Sequence, residues 1–395
     1  MRIQIDQTGF HSAGRCLDHV GLGTIDVRGL LQFALEIIFS EEIIVSGFES
    51  GGVLGRTETL VQRLRSEGLD SEAVQIRPYT IEYYAKVCEE AATRFADDFE
   101  YAFSVETVYE STSLLALRPD LLPHELAVEE NVHALIKSDR SQQELEEIAE
   151  TSLQEKAVGS IAFMLSRCHP LWLKVRNAAK SDLWTPQTTQ QLVAASRYYV
   201  TDSLAQSEKA LHTPAVARAE LLRASNKAFI STISSIVVDA AEKFKSKPLG
   251  IPSLSDVLVQ KSKGDPVAVI AGAIRYRAMA TDLRKYLSEK LSVHEMDTPN
   301  WHHELQIRVK ELAWALEKEL NPTERPHLLD AISIQISPLP FSVALNVIRE
   351  WNQFRALRKY VILLTELSKE LAFSQTDPYA LNKLVNSSTR NRYIT

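Results

Sequence analysis

At 395 residues, with 45% hydrophobic and 24% charged side chains, the chain has the mix of a folded protein. It is too long for one core, because single cores stop growing near about 250–300 residues. Its net charge of −7 hides two opposed halves: residues 1–155 hold 12 Lys+Arg against 29 Asp+Glu, and the remainder carries a basic surplus. That asymmetry fits either a basic surface for nucleic acid or two halves that attract each other inside the molecule.

Three widely separated cysteines, Cys16, Cys88 and Cys168, argue against a disulfide framework, and the N-terminus lacks the basic and apolar regions of a secretory leader. The expected compartment is therefore the cytoplasm. The apolar-leaning run Ala228 to Val238 is far shorter than the roughly 20 residues that span a bilayer, so no membrane contact is expected.

Along the chain, β-leaning runs at Arg2 to Asp6, Glu42 to Ser46 and Ala73 to Arg77 alternate with helix-like stretches at Arg28 to Phe39 and Thr57 to Arg65. Such alternation predicts a small α/β head with a short parallel or mixed sheet of βαβ units. Nine of the fourteen glycines lie at or before Gly55, so turns or a ligand-approach loop are expected there. One such loop reads as holding His11, Cys16, Asp18 and His19. Their types suit zinc, but the spacing is unfamiliar and ordinary loop residues are the plainer reading.

The strongest local motif is the stretch Gly47 to Thr57, which follows the apolar run Ile43-Ile44-Val45 and leads into a helix. Strand, glycine-rich turn and helix N-terminus in that order suit an anion, so Gly51, Gly52, Gly55, Arg56 and Thr57 are the candidate phosphate or cofactor residues. In outline the motif approaches a P-loop, yet Ser50 stands for the first glycine and Arg56 for the lysine. A plain strand-to-helix turn explains the same residues. Either way, positive φ is expected at Gly51, Gly52 or Gly55. Asp6, Asp26 and Glu49 lie near the ends of the predicted strands or the first helix and form a candidate divalent-metal set, as a two-metal hydrolase would need. The head's surplus of acids could place them there by chance.

From Thr80 the pattern turns helical, with Ile81, Tyr84, Cys88, Ala92, Phe95 and Phe99 at spacings of three and four. Cys88 on that stripe reads as core. Five Thr-Pro or Asp-Pro steps, at Thr185, Thr213, Asp265, Thr298 and Asp377, read as capped helix starts. The stretch Lys245 to Pro252 reads as a linker. One strand pattern interrupts the helices, Ile332 to Ile336, and is expected to return to the N-terminal sheet, since the helical half offers no other strand pattern. Lys and Arg concentrate between Lys243 and Lys290, where Arg275, Arg277, Arg284 and Lys285 form a candidate face for nucleic acid or an acidic protein.

These features predict a mostly α protein with a small N-terminal α/β region, divided near 1–110, 111–247 and 248–395. No catalytic signature emerges, and no cofactor can be named. The leading expectation is an intracellular interaction or regulatory subunit whose partners are other protein subunits. The alternative is an enzyme whose head binds phosphate, nucleotide or metal and acts on nucleic acid held by the basic half.

Overall fold

The computed structural model describes residues 2–48, 52–103, 126–138, 140–152, 157–213, 254–282, 284–285 and 378–391. Among these the chain is mostly α, with a small parallel sheet at its N-terminus. The sheet strands are β1 (Arg2–Ile5), β2 (Glu42–Phe48), β3 (Val74–Tyr79) and β4 (Leu211–Thr213). Helices α1 (Gln7–Leu17) and α2 (Thr24–Phe39) join β1 to β2, and α3 (Gly52–Ser66) precedes β3. The body follows as α4 (Ile81–Ala102), α5 (Leu126–Lys137), α6 (Gln142–Ser152), α7 (Ala157–Arg167), α8 (His169–Ala179) and α9 (Pro186–Ser207). After β4 come α10 (Leu254–Ser262), α11 (Pro266–Met279) and α12 (Pro378–Ser388). Among the described residues no helix is long and apolar enough to cross a membrane.

The three strand-like runs at the N-terminus form β1, β2 and β3, all parallel, in the order β3-β2-β1-β4. Registers Ile3↔Ile43 and Ile43↔Val74 put these apolar residues on one face. There they join Ile5, Val45, most of α2, and Leu60, Val61 and Leu64 of α3 in a first core. That core is completed from far along the chain, by Val257 to Val259 of α10, Val269, Ile270, Ala273 and Tyr276 of α11, and Leu384 of α12. A second core is mainly helical, built on the α4 stripe of Tyr84, Cys88, Ala92, Phe95 and Phe99 with Phe163, Trp172, Tyr198 and Tyr199. Cys88 is fully buried there, and burial pushes its thiol up to about 12.

Two expectations are corrected. Residues 7–17, read as a glycine-rich loop, form helix α1, because glycine here serves packing and not turning. A Cβ at Gly14 would lie 3.1 Å from Leu60 Cδ2, and one at Gly29 would lie 2.6 Å from Ser12 Cβ. The helical half also supplies a strand other than the one expected. β4 pairs in parallel with β1 through Ile3↔Leu211, Gln4↔His212 and Ile5↔Thr213. Three residues are too few to show a period of two. The pattern Ile332 to Ile336 and the linker Lys245 to Pro252 lie outside the described residues, as does the Thr298-Pro299 step.

Of the capped starts, Thr185 accepts the Thr188 N–H and forms a reciprocal capping box, Asp265 Oδ1 accepts the Val267 N–H at 3.0 Å, and α12 opens at Pro378. Thr213 ends β4, and the helix expected to follow it lies outside the described residues.

Candidate functional site

β1 leads to β2 and β3 on one side of the sheet, whereas β4, reached through α4 to α9, lies on the other. The strand order therefore reverses between β1 and β4. In open α/β sheets the crevice outside the carboxyl ends of the strands at such a reversal is where ligands sit.

Asp6 is the single residue between β1 and α1. It is buried, and its backbone carbonyl accepts the Phe10 N–H at 3.2 Å. Gln7 Nε2 donates to the Ser46 carbonyl, which ties the first turn of α1 to β2, and Ser46 Oγ donates to Gln4 Oε1 at 3.1 Å. α1 then runs beside α3, with Gly14 against Leu60 and Arg63 Nη1 donating to Asp18 Oδ1 at 2.7 Å. His11 belongs to the same seam. Burial, and then the charges of Arg56 and Arg15, push its imidazole down to about 4, so it is neutral at pH 7.

The predicted phosphate residues fall on and before α3. Gly52 opens this helix, Gly55, Arg56 and Thr57 follow in its first two turns, and Gly51 lies outside the described residues. Gly55 is helical, and among the described residues the positive-φ glycines are Gly23, Gly68 and Gly264. Arg56 is exposed and Thr57 is buried.

Of the candidate metal residues, Asp6 and Asp26 join no metal-holding group among the described residues. Asp26 has no exposed surface, and Arg15 Nε and Nη2 donate to its two oxygens at 2.8 and 2.6 Å while the Leu22 N–H donates at 2.8 Å. Glu49 lies outside the described residues, within which no group of three His, Cys, Asp or Glu could hold a metal. The His11, Cys16, Asp18, His19 set is likewise dispersed. Burial pushes Cys16 up to about 12, Asp18 pairs with Arg63, and His19 Nδ1 donates to the Ser387 carbonyl at 2.8 Å.

The basic face is mostly turned inward. Arg277 Nη1 donates to the Ile37 carbonyl at 2.7 Å and to that of Ser40, and Nη2 donates to Glu41 at 2.8 Å. Arg284 is buried and Nη1 donates to the Ile38 carbonyl at 3.2 Å and to that of Arg277. α2 has no basic residue in its own last turn, so these guanidiniums satisfy carbonyls that the helix end leaves free. Burial lowers both, and the Arg277 charge contributes to bringing Arg284 to about 10. Arg275 stacks on Tyr276, its guanidinium carbon 5.1 Å from the ring centre, and Lys285 is exposed. Arg277→Ala is expected to cost about 2–3 kcal/mol in urea unfolding, as for charge-assisted hydrogen bonds whose acceptors are left buried, with Arg277→Lys recovering part of it.

Sequence reading did not find the polar layer on the sheet's second face, where Gln4, Ser46 and His212 lie. Arg94 of α4 pairs with Asp202 of α9 and donates to Ser203 Oγ at 3.1 Å, while Gln206 Nε2 donates to Asp202 Oδ2 at 2.9 Å. At the amino ends of the strands Arg2 Nε meets Glu42 Oε2 at 2.8 Å, and Arg2 and Arg77 both approach Glu208. Among the described residues, cations of the acidic half thus meet acids of the basic half, while Arg277 and Arg284 of the basic half in turn feel the charge of Glu41, and Arg277 that of Asp70, so pairing between the halves runs both ways. The signal was present in Arg2-Ile3-Gln4-Ile5-Asp6, whose alternation gives the sheet one apolar and one polar face.

No family model, curated protein or solved structure matches this chain.

Proposed function

We propose that the chain is a regulatory subunit whose α/β head binds a small phosphate-bearing ligand at the carboxyl edge of its sheet, and whose helical body answers to other proteins. The observation that carries this reading is the reversal of strand order between β1 and β4. Two features give the ligand its chemistry. α1 starts immediately after β1, and α3 follows β2, so both helices begin on the carboxyl side of the strands they follow, where first-turn N–H groups favour an anion. Arg56, exposed on α3, adds a guanidinium suited to phosphate. The inward-turned Arg277 and Arg284 give little support to a nucleic-acid reading.

The test is a thermal-shift and calorimetric titration of the full chain with inorganic phosphate, ATP and ADP. Saturable binding that Arg56→Ala weakens by roughly tenfold, the loss of about 1.4 kcal/mol for one charged contact, is the expected result. Absence of binding by all three at millimolar concentration would remove the ligand from the proposal and leave only the interaction role.

A further inference from the structure

His212 lies in the middle of β4, 3% exposed, and neither ring nitrogen has a hydrogen-bond partner among the described residues. Buried polar groups without partners are rare enough to call for a cause. The groups facing it come from three elements. α9 presents the Tyr198 ring, 4.9 Å between centres, and Asp202, whose Oδ1 is 3.9 Å from Nδ1. α4 presents the charge of Arg94, and β1 presents uncharged Gln4 as the register partner. The 3.9 Å separation is too long for a hydrogen bond.

Asp202 favours the imidazolium, but its charge offsets only part of the cost of burying it. Its carboxylate already neutralises Arg94 and also accepts from Gln206. A protonated His212 would leave a buried cluster of two cations and one anion, with no further acid among the described groups facing the ring. Water is the better partner for an imidazolium in that position. Motion is cheapest at β4 itself, which has three residues and, among the described strands, pairs with β1 alone.

We propose that His212 is an acid-operated release for β4: when its ring takes a proton from solvent, the strand separates from β1 and α9 and opens the joint between the two cores. In the closed joint, burial first and then Arg94 push His212 down to about 4 against Asp202, from an ordinary value of 6.5. The released strand therefore binds protons more tightly than the closed one. Closure is fully favoured above about pH 6.5 and is progressively lost as pH falls toward 4. The proposal does not depend on a ligand at the carboxyl edge, so it stands or falls apart from that reading.

Hydrogen exchange on the full chain without ligand, corrected for intrinsic rates, tests it. Between pH 7 and pH 5 the protection of the β4 amides should fall roughly 20-fold, the factor that a shift from 6.5 to about 4 gives over that interval. Amides of the β2–β3 ladder should keep theirs. In His212→Gln the β4 change should shrink to less than about twofold, the level expected when no titrating group is coupled to opening. His11→Gln, which removes the other strongly lowered histidine, should leave it intact. Equal loss across all strands, or an unaltered β4 response in His212→Gln, overturns the proposal. Should that variant fail to fold, the wild-type ring decides: an NMR titration placing His212 near 6.5 in the folded chain overturns it, and one placing it well below supports it.

Discussion

Asp26→Ala is expected to destabilise the chain by about 3–5 kcal/mol, the range for removing one partner of a buried ion pair. Asp26 sits in the first turn of α2 with no exposed surface, held by two nitrogens of Arg15 and by the Leu22 N–H. Alanine would leave a half-buried guanidinium and a backbone donor without their acceptor. The Asp26→Asn variant keeps an acceptor but loses the charge, and its cost should be smaller. Burial pushes the carboxyl up, but the Arg15 hydrogen bonds and charge, with the Leu22 N–H, outweigh this and hold it below 3.8. The unfolded chain therefore takes up the proton first as pH falls, and the contribution of Asp26 is full above about pH 4 and lost below the folded value. Urea unfolding in the presence of EDTA, at about pH 7 and again near pH 3, checks both points. A deficit under about 1 kcal/mol in metal-free buffer would contradict the structural role and return Asp26 to the candidate metal ligands.

That carboxylate also marks where sequence reading stops. β1, β2, β3, α2, α3 and α4 were legible because strand runs and helical spacing are local patterns, and Thr185 and Asp265 announced α9 and α11 through cap chemistry. The partner of a side chain is not local. Arg277 reads as a surface cation until the carbonyls of residues 37 to 41, some 240 positions earlier, are brought against it. Glycine misled for the same reason. Gly14 reads as a loop residue and Gly29 as part of a helix, but the use of both is to let Leu60 and Ser12 approach a helix backbone, and only the packed structure contains those neighbours. β4 was out of reach because its three residues gain strand geometry from β1 and not from their own sequence.

Ending the chain after Asp377 is expected to cost the first core about 4 kcal/mol or more while leaving the second core in place, the sum of one buried leucine and two orphaned backbone groups. The sequence led to the expectation that the chain returns to its own beginning through a strand, and among the described residues it returns through α12. Leu384 is fully buried in the head core, with Ala380, Leu381 and Val385 packed against it. The Gly21 N–H donates to the Ser388 carbonyl at 2.8 Å, and the Asn391 N–H donates to the His19 carbonyl at 2.7 Å. His19 itself is held at φ 60, where a residue other than glycine is strained, and its ring bond to Ser387 helps keep it there. Losing α12 removes apolar cover and these bonds together. Limited proteolysis with mapped products is the direct measurement: cleavage should appear first within residues 2–74, with residues 157–207 protected. A subtler variant presses the same contact without shortening the chain. Gly264 has φ 88, and a Cβ there would come 2.6 Å from Lys383 Cγ, so Gly264→Ala should loosen α12 against α10 and destabilise the head by about 1–2 kcal/mol. Were the shortened chain to protect residues 2–74 as well as the full one does, the head would be an independent folding unit and α12 a bystander on its surface.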